Sequence, residues 1–83
     1  MTNTEELLKQ RNTTHGSFLD NANISQSLKG IMHRTHGWSL LGVAQQEALD
    51  MIALKISRIL SGQNSHQDHW DDIAGYASLG AKH

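Results

Sequence analysis

Apolar residues recur at spacings of three and four through most of the chain, and neither strict apolar–polar alternation nor a β-branched run occurs. The pattern predicts an all-α protein of about four helices. Its strongest segment runs from about Val43 to Leu60, where Ala48, Leu49, Ile52, Ile56, Ile59 and Leu60 fall on one face and are expected to form the core. Gln46, Glu47, Asp50, Ser57 and Arg58 make its polar stripe, and Gly62 in the polar stretch "SGQNS" is expected to stop it. A last helix is predicted over about Gln67 to Leu79, with Ser65 or Asp68 as its cap. Upstream, Asp20 or Asn21 is expected to cap a helix carrying Ala22, Ile24, Leu28, Ile31 and Met32. That helix is weakened by Gly30 and closes through His33, Arg34 and His36 before Gly37. Thr4 predicts a short first helix through Lys9 that ends near Arg11 or Asn12. The triplet Thr-His-Gly occurs at 14–16 and 35–37, each time ahead of an aromatic, and reads as helix-end chemistry rather than as duplication.

Length changes the picture next. With 83 residues and no cysteine, residues 1–83 form at most one domain without disulfide or thiolate staples. A domain of this size buries only about 60% of the surface its unfolded chain exposes, so a homo-oligomer is expected to complete the bundle. The formal net charge of −1 lacks the basic footprint of a general nucleic-acid binder, so no nucleic-acid partner is expected. The longest nearly apolar run, "MIALKISRIL", is short and carries Lys55 and Arg58, whereas a membrane span needs about 20 apolar residues. The start "MTNTEELLKQRN" has no basic region followed by an apolar one, and a cytoplasmic location is expected.

Candidate chemistry concentrates in "NSHQDHWDDIAGYA", residues 64–77. Asp68 with Asp71 or Asp72 places two carboxylates on one helical face, and Glu47 with Asp50 does the same on the preceding helix. Four carboxylates facing a shared cleft suit Mg²⁺ or Mn²⁺, which take oxygen ligands and retain water that can attack a phosphate. The same aspartates also stabilise a helix start by about 0.3 to 1 kcal/mol each, with no metal involved. His66 and His69 beside Asp68 would permit a Zn²⁺ or Ni²⁺ site, although spacing specifies no third firm ligand; His15, His36 and His83 add less. Lys55 and Arg58 are poorly spaced to pair with Glu47 or Asp50. They are left either to meet phosphate oxygens or to pair with Asp72. Trp70, Tyr76 and Trp38 offer rings for stacking on a base or for packing.

Lys55-Ile56-Ser57-Arg58 followed by Asp72-Ile73-Ala74-Gly75-Tyr76, with "THGSFLDNANISQSLK" upstream, resembles a small family of phage and prophage proteins of unknown function over about residues 11–79. More distantly, Glu47-x-x-Asp50 and Asp68-x-x-Asp71 are similar to the E-x-x-E and E-x-x-D motifs of MazG-type all-α nucleoside triphosphate pyrophosphohydrolases. The resemblance implies a MazG-like fold, a nucleotide as ligand and Mg²⁺ as cofactor. The first motif here ends in Asp and the second begins with Asp, and aligning Asp72-Ile73 with the end of the second motif puts His69 where its glutamate would stand. On this reading Glu47, Asp50, Asp68, Asp71 and Asp72 are the metal candidates. Lys55, Arg58, His69, Trp70 and Tyr76 are the ligand candidates, and no catalytic residue is assigned. The alternative is a non-catalytic phage protein that blocks a host defence protein or sequesters a signalling nucleotide in the bacterial cytoplasm.

Overall fold

The computed structural model of the protein describes residues 18–62 and 67–83, and these are helical with no strand among them. The four helices are α1 (Phe18–His33), α2 (His36–Ser39), α3 (Val43–Ser61) and α4 (Gln67–Ala81). The short helix expected near Thr4, together with Thr14, His15, Ser65 and His66, lies outside the described residues.

α3 forms as its apolar spacing predicts and ends at Gly62, whose backbone N–H donates to Arg58 O at 3.0 Å. α4 runs to Ala81, two residues beyond expectation, with Asp68 inside its first turn rather than at its cap. The boundary after α1 differs more. Gly37 does not end α1, because Thr35 breaks the helix first: its hydroxyl donates to Met32 O at 2.9 Å and accepts from Trp38 N at 3.2 Å. The second contact makes Thr35 the N-cap of α2. Gln46 then donates from Nε2 to Trp38 O at 3.0 Å, fixing the α2 turn onto the start of α3.

α3 is the middle of a layer. α1 packs along one side of it and α4 along the other, and α1 and α4 hardly touch each other. Both neighbours run antiparallel to α3, since Asn21 meets Ser57 while His33 meets Asp50, and Asp72 meets Lys55 while Gly80 meets Gln45. The two seams are built from small side chains. Among the described residues Ala48, Ala53, Ser57 and, on α1, Ser25 are the buried ones, and an added Cβ at Gly80 would stand 3.3 Å from the Ala48 Cβ. Small residues bring helix axes close, because interaxial distance follows the side chains at the contact.

The expected core face of α3 is therefore only partly a core. Ala48 is buried, but Leu49 is 39% and Leu60 66% exposed. The reason is geometric: a helix flanked on two sides buries its lateral positions, and the Leu49, Ile52, Ile56 and Leu60 row points between the neighbours, out of the layer.

Ser57 holds the α1 seam. Its hydroxyl is 0% exposed with its residue and lies 2.7 Å from Asn21 Oδ1 and 2.6 Å from Leu54 O. A single proton serves one acceptor at a time, so both contacts persist together only if the Asn21 amide turns its Nδ2 toward the hydroxyl oxygen. Replacing Ser57 by alanine removes one hydrogen bond beside a half-buried partner that water can reach, and is expected to cost about 1 kcal/mol. Ser57→Leu forces extra methylenes into the seam and is expected to cost more, about 1 to 3 kcal/mol or beyond. Urea denaturation of the two variants checks the order; equal loss would mean that the seam is loose.

Candidate functional site

The layer has hollows on both of its faces. On one, Leu41, Leu49, Ile52, Tyr76 and Ala77 line an apolar hollow of about 320 Å³ between α3 and α4. On the other lie two shallow depressions, one on α4 alone and one between α3 and α4. One, of about 250 Å³, is lined by Asp71, Asp72, Gly75, Tyr76 and Leu79. Its neighbour, of about 260 Å³, is lined by Ala44, Glu47, Ala48, Tyr76, Leu79 and His83. Tyr76 and Leu79 border both, so the two depressions adjoin along α4 as a shallow groove side, with Glu47 toward one end and Asp71 and Asp72 toward the other. Tyr76 also borders the hollow on the opposite face because it sits in the α3–α4 seam.

The candidate cations stand at the aspartate end. Lys55 Nζ donates to Asp72 Oδ2 at 2.9 Å across the seam, with Lys55 largely covered and Asp72 nearly half exposed. This is the structural pair that the sequence left open. Arg58 follows one turn later; its Nε is buried and has no hydrogen-bond partner among the described residues. Eleven residues separate Arg58 from Glu47, close to three full turns, so both project on the groove side of α3. His69 is half-buried at the start of α4, and Asp68 and Trp70 are exposed there. Asp71 accepts from Gln67 Nε2 at 3.0 Å, an intrahelical bond one turn apart.

Asp50 departs from expectation. It turns away from α4 toward the end of α1, where His33 Nε2 lies 2.6 Å from its Oδ1. A carboxylate offers no proton, so the imidazole donates. The His33 ring also stacks on Trp38, with centroids 4.4 Å apart at 37°, and that contact occupies the indole.

The five acidic candidates are consequently dispersed. Asp50 faces α1, Glu47 lies beside the end of α4, and Asp68, Asp71 and Asp72 lie at its beginning. From Glu47 to the level of Lys55 and Asp72 is eight residues of α3, about 12 Å of axial rise. No group of three or more His, Asp or Glu side chains among the described residues is placed to hold a metal ion. The pair that the structure does keep together is Asp71 and Asp72, on one wall of the groove. Sequence spacing paired each of them with Asp68 rather than with the other. It missed the His33–Asp50–Trp38 cluster, in which Asp50 lies 17 residues from His33 and no motif joins the three.

No described helix is long and apolar enough to cross a membrane. A family model described as a domain of unknown function, DUF6378, matches residues 1–83. No curated protein and no solved structure matches the chain.

The Lys55–Asp72 pair is open to solvent on its Asp72 side, so its stabilising effect is small. A double-mutant cycle with Lys55→Ala and Asp72→Ala is expected to return a coupling of about 0.2 to 1 kcal/mol that shrinks at high salt. A salt-insensitive coupling several times larger would instead make the pair a structural anchor of the seam.

Proposed function

The chain belongs to the DUF6378 family, a domain of unknown function, and from the chemistry of its charged face we propose that it binds a phosphorylated small molecule, a nucleotide foremost. One observation carries the reading: the Lys55–Asp72 pair stands beside the depression lined by Asp71 and Asp72, with Arg58 one turn further along α3. Arg58 is half-buried on the groove side of α3 with its Nε closed to solvent, so a phosphate would meet its terminal guanidinium nitrogens, which match phosphate oxygens in charge and geometry. Lys55 can exchange the exposed Asp72 carboxylate for a phosphate at little cost, since a half-exposed ion pair contributes little.

Mg²⁺ fits this arrangement as a companion of the ligand. The ion is ordinarily held by one or two carboxylates together with substrate phosphates and water, so Asp71 and Asp72 suffice to seat a nucleotide-bound Mg²⁺. Glu47 and Asp68 would border the bound molecule, and Tyr76 forms the floor of the groove; Trp70, on the opposite face with Ala77, is not part of it. The resemblance to MazG-type proteins supports the choice of a nucleotide. The dispersal of Asp50 and Glu47 supports binding without turnover, because the four-carboxylate set that would activate water is not assembled within one chain. A nucleotide-sequestering protein of phage or prophage origin, acting in the bacterial cytoplasm, fits that combination.

A second reading rests on Asp68, Asp71 and Asp72, all exposed along the first turns of α4. An acidic edge of this kind suits docking on a basic surface of another protein, such as a host defence factor.

A thermal-shift screen against nucleoside triphosphates and cyclic dinucleotides, with and without Mg²⁺ or Mn²⁺, separates the readings. A ligand at 100 times its Kd stabilises the folded chain by about 2.7 kcal/mol and is readily seen. The expected hit is returned chemically unchanged, and Arg58→Ala weakens it about tenfold or more, with the unliganded unfolding midpoint little moved. Release of pyrophosphate would replace sequestration by hydrolysis. No shift with any nucleotide would remove the ligand reading and leave the acidic edge as the working surface.

A further inference from the structure

The face opposite the groove makes a separate demand. α3 presents Leu49, Ile52, Ile56 and Leu60 along it at spacings of three and four, with no charged residue in the row. α4 adds Trp70, 53% exposed, and Ala77, and the phase of antiparallel α1 brings Ile24 and Ile31 to the same side, Ile31 being 59% exposed. A stable domain needs a second layer against such a face, and the described residues supply none: the only buried apolar residues are Ala48 and Ala53.

We propose that this face is covered by a second copy of the same chain, related by a two-fold axis, with α3 packed antiparallel on α3 of the other copy. Three features select a second copy over an unrelated partner. The row is uncharged, so setting it against itself opposes no like charges. It is also shaped for itself: Leu60 protrudes at one end, and the apolar hollow beside Leu49 and Ile52 opens at the other. A two-fold axis near Ile56 therefore seats Leu60 of each copy in the hollow of the other, the reciprocal contact that an isologous interface requires. Finally, a layer in which the buried side chains among the described residues are all small needs its cover whenever it folds, which an identical chain meets and an occasional partner does not. The charged groove lies on the outer side of the resulting two-layer assembly, so the pairing stands whether or not the groove takes a nucleotide.

The inference is tested on the full chain without ligand. Sedimentation velocity is expected to give twice the 9.2 kDa chain mass and an unfolding temperature that rises with protein concentration. Leu60→Glu should weaken association at least tenfold, whereas Leu79→Glu, at a leucine 52% exposed on the groove side, should leave the mass unchanged. Because the chain has no cysteine, register can be read directly. A mixture of Leu49→Cys and Leu60→Cys chains should oxidise to the mixed dimer, while Leu60→Cys alone should crosslink poorly, its two positions lying far apart across the axis. A wild-type monomer at 100 µM with concentration-independent, cooperative unfolding would overturn the proposal. So would a dimer in which Leu60→Cys links to itself and not to Leu49→Cys, and so would dissociation by Leu79→Glu but not by Leu60→Glu. Should Leu60→Glu fail to fold, the wild-type mass and the crosslinking pattern still decide.

Discussion

Close lateral packing of α3 through its smallest side chains governs this structure. Ala48 against Gly80 on one flank and Ala53 and Ser57 toward α1 on the other let three helices lie side by side. Once the flanks are taken by small residues, the larger ones have to point above or below the layer. Leu49, Ile52, Ile56 and Leu60 go to one side, while Glu47, Arg58 and the aspartates of α4 go to the other. The separation of apolar from charged chemistry follows from how the seams are made.

The same geometry decides which side chains meet. Lys55 lies opposite Asp72 because antiparallel helices in this register bring those levels together, and Glu47 is left about two turns away. Asp50 lies on the α1 flank of α3, and its bond to His33 ties the end of α1 to the middle helix. Stacking of His33 on Trp38 carries that tie into the α2 turn, and Gln46 returns it to α3 through Trp38 O. The polar contacts at this corner thus fix where α1 docks, and they take Asp50 out of any site on the α4 side.

Much of the helix layout was legible in the sequence, because local signals set it. The extent of α3 follows from its apolar spacing and the stop at Gly62, and the start of α4 from acids at the head of an apolar pattern. Thr35 was legible too, as a hydroxyl residue capable of capping a new helix, but Gly37 two residues later drew the boundary to itself. What spacing did not reveal is which flank of α3 each neighbour occupies. An apolar row at helical spacing looks the same whether it meets a neighbouring helix or faces out of a layer, so Leu49 and Leu60 read as core. Likewise, carboxylates three apart share a face within their own helix, and nothing local says which other helix that face will find. Glu47 and Asp50 were paired by spacing and parted by docking.

If a second copy covers the apolar face, that face is hidden in solution while the groove side stays wet. Methyl NMR with a soluble paramagnetic agent reads this residue by residue. The account predicts that methyl signals of Leu49, Ile56 and Leu60 are protected while those of Leu79, beside the charged groove, are strongly broadened. Equal broadening of Leu60 and Leu79 would contradict it, since the apolar face would then stand as open to water as the groove.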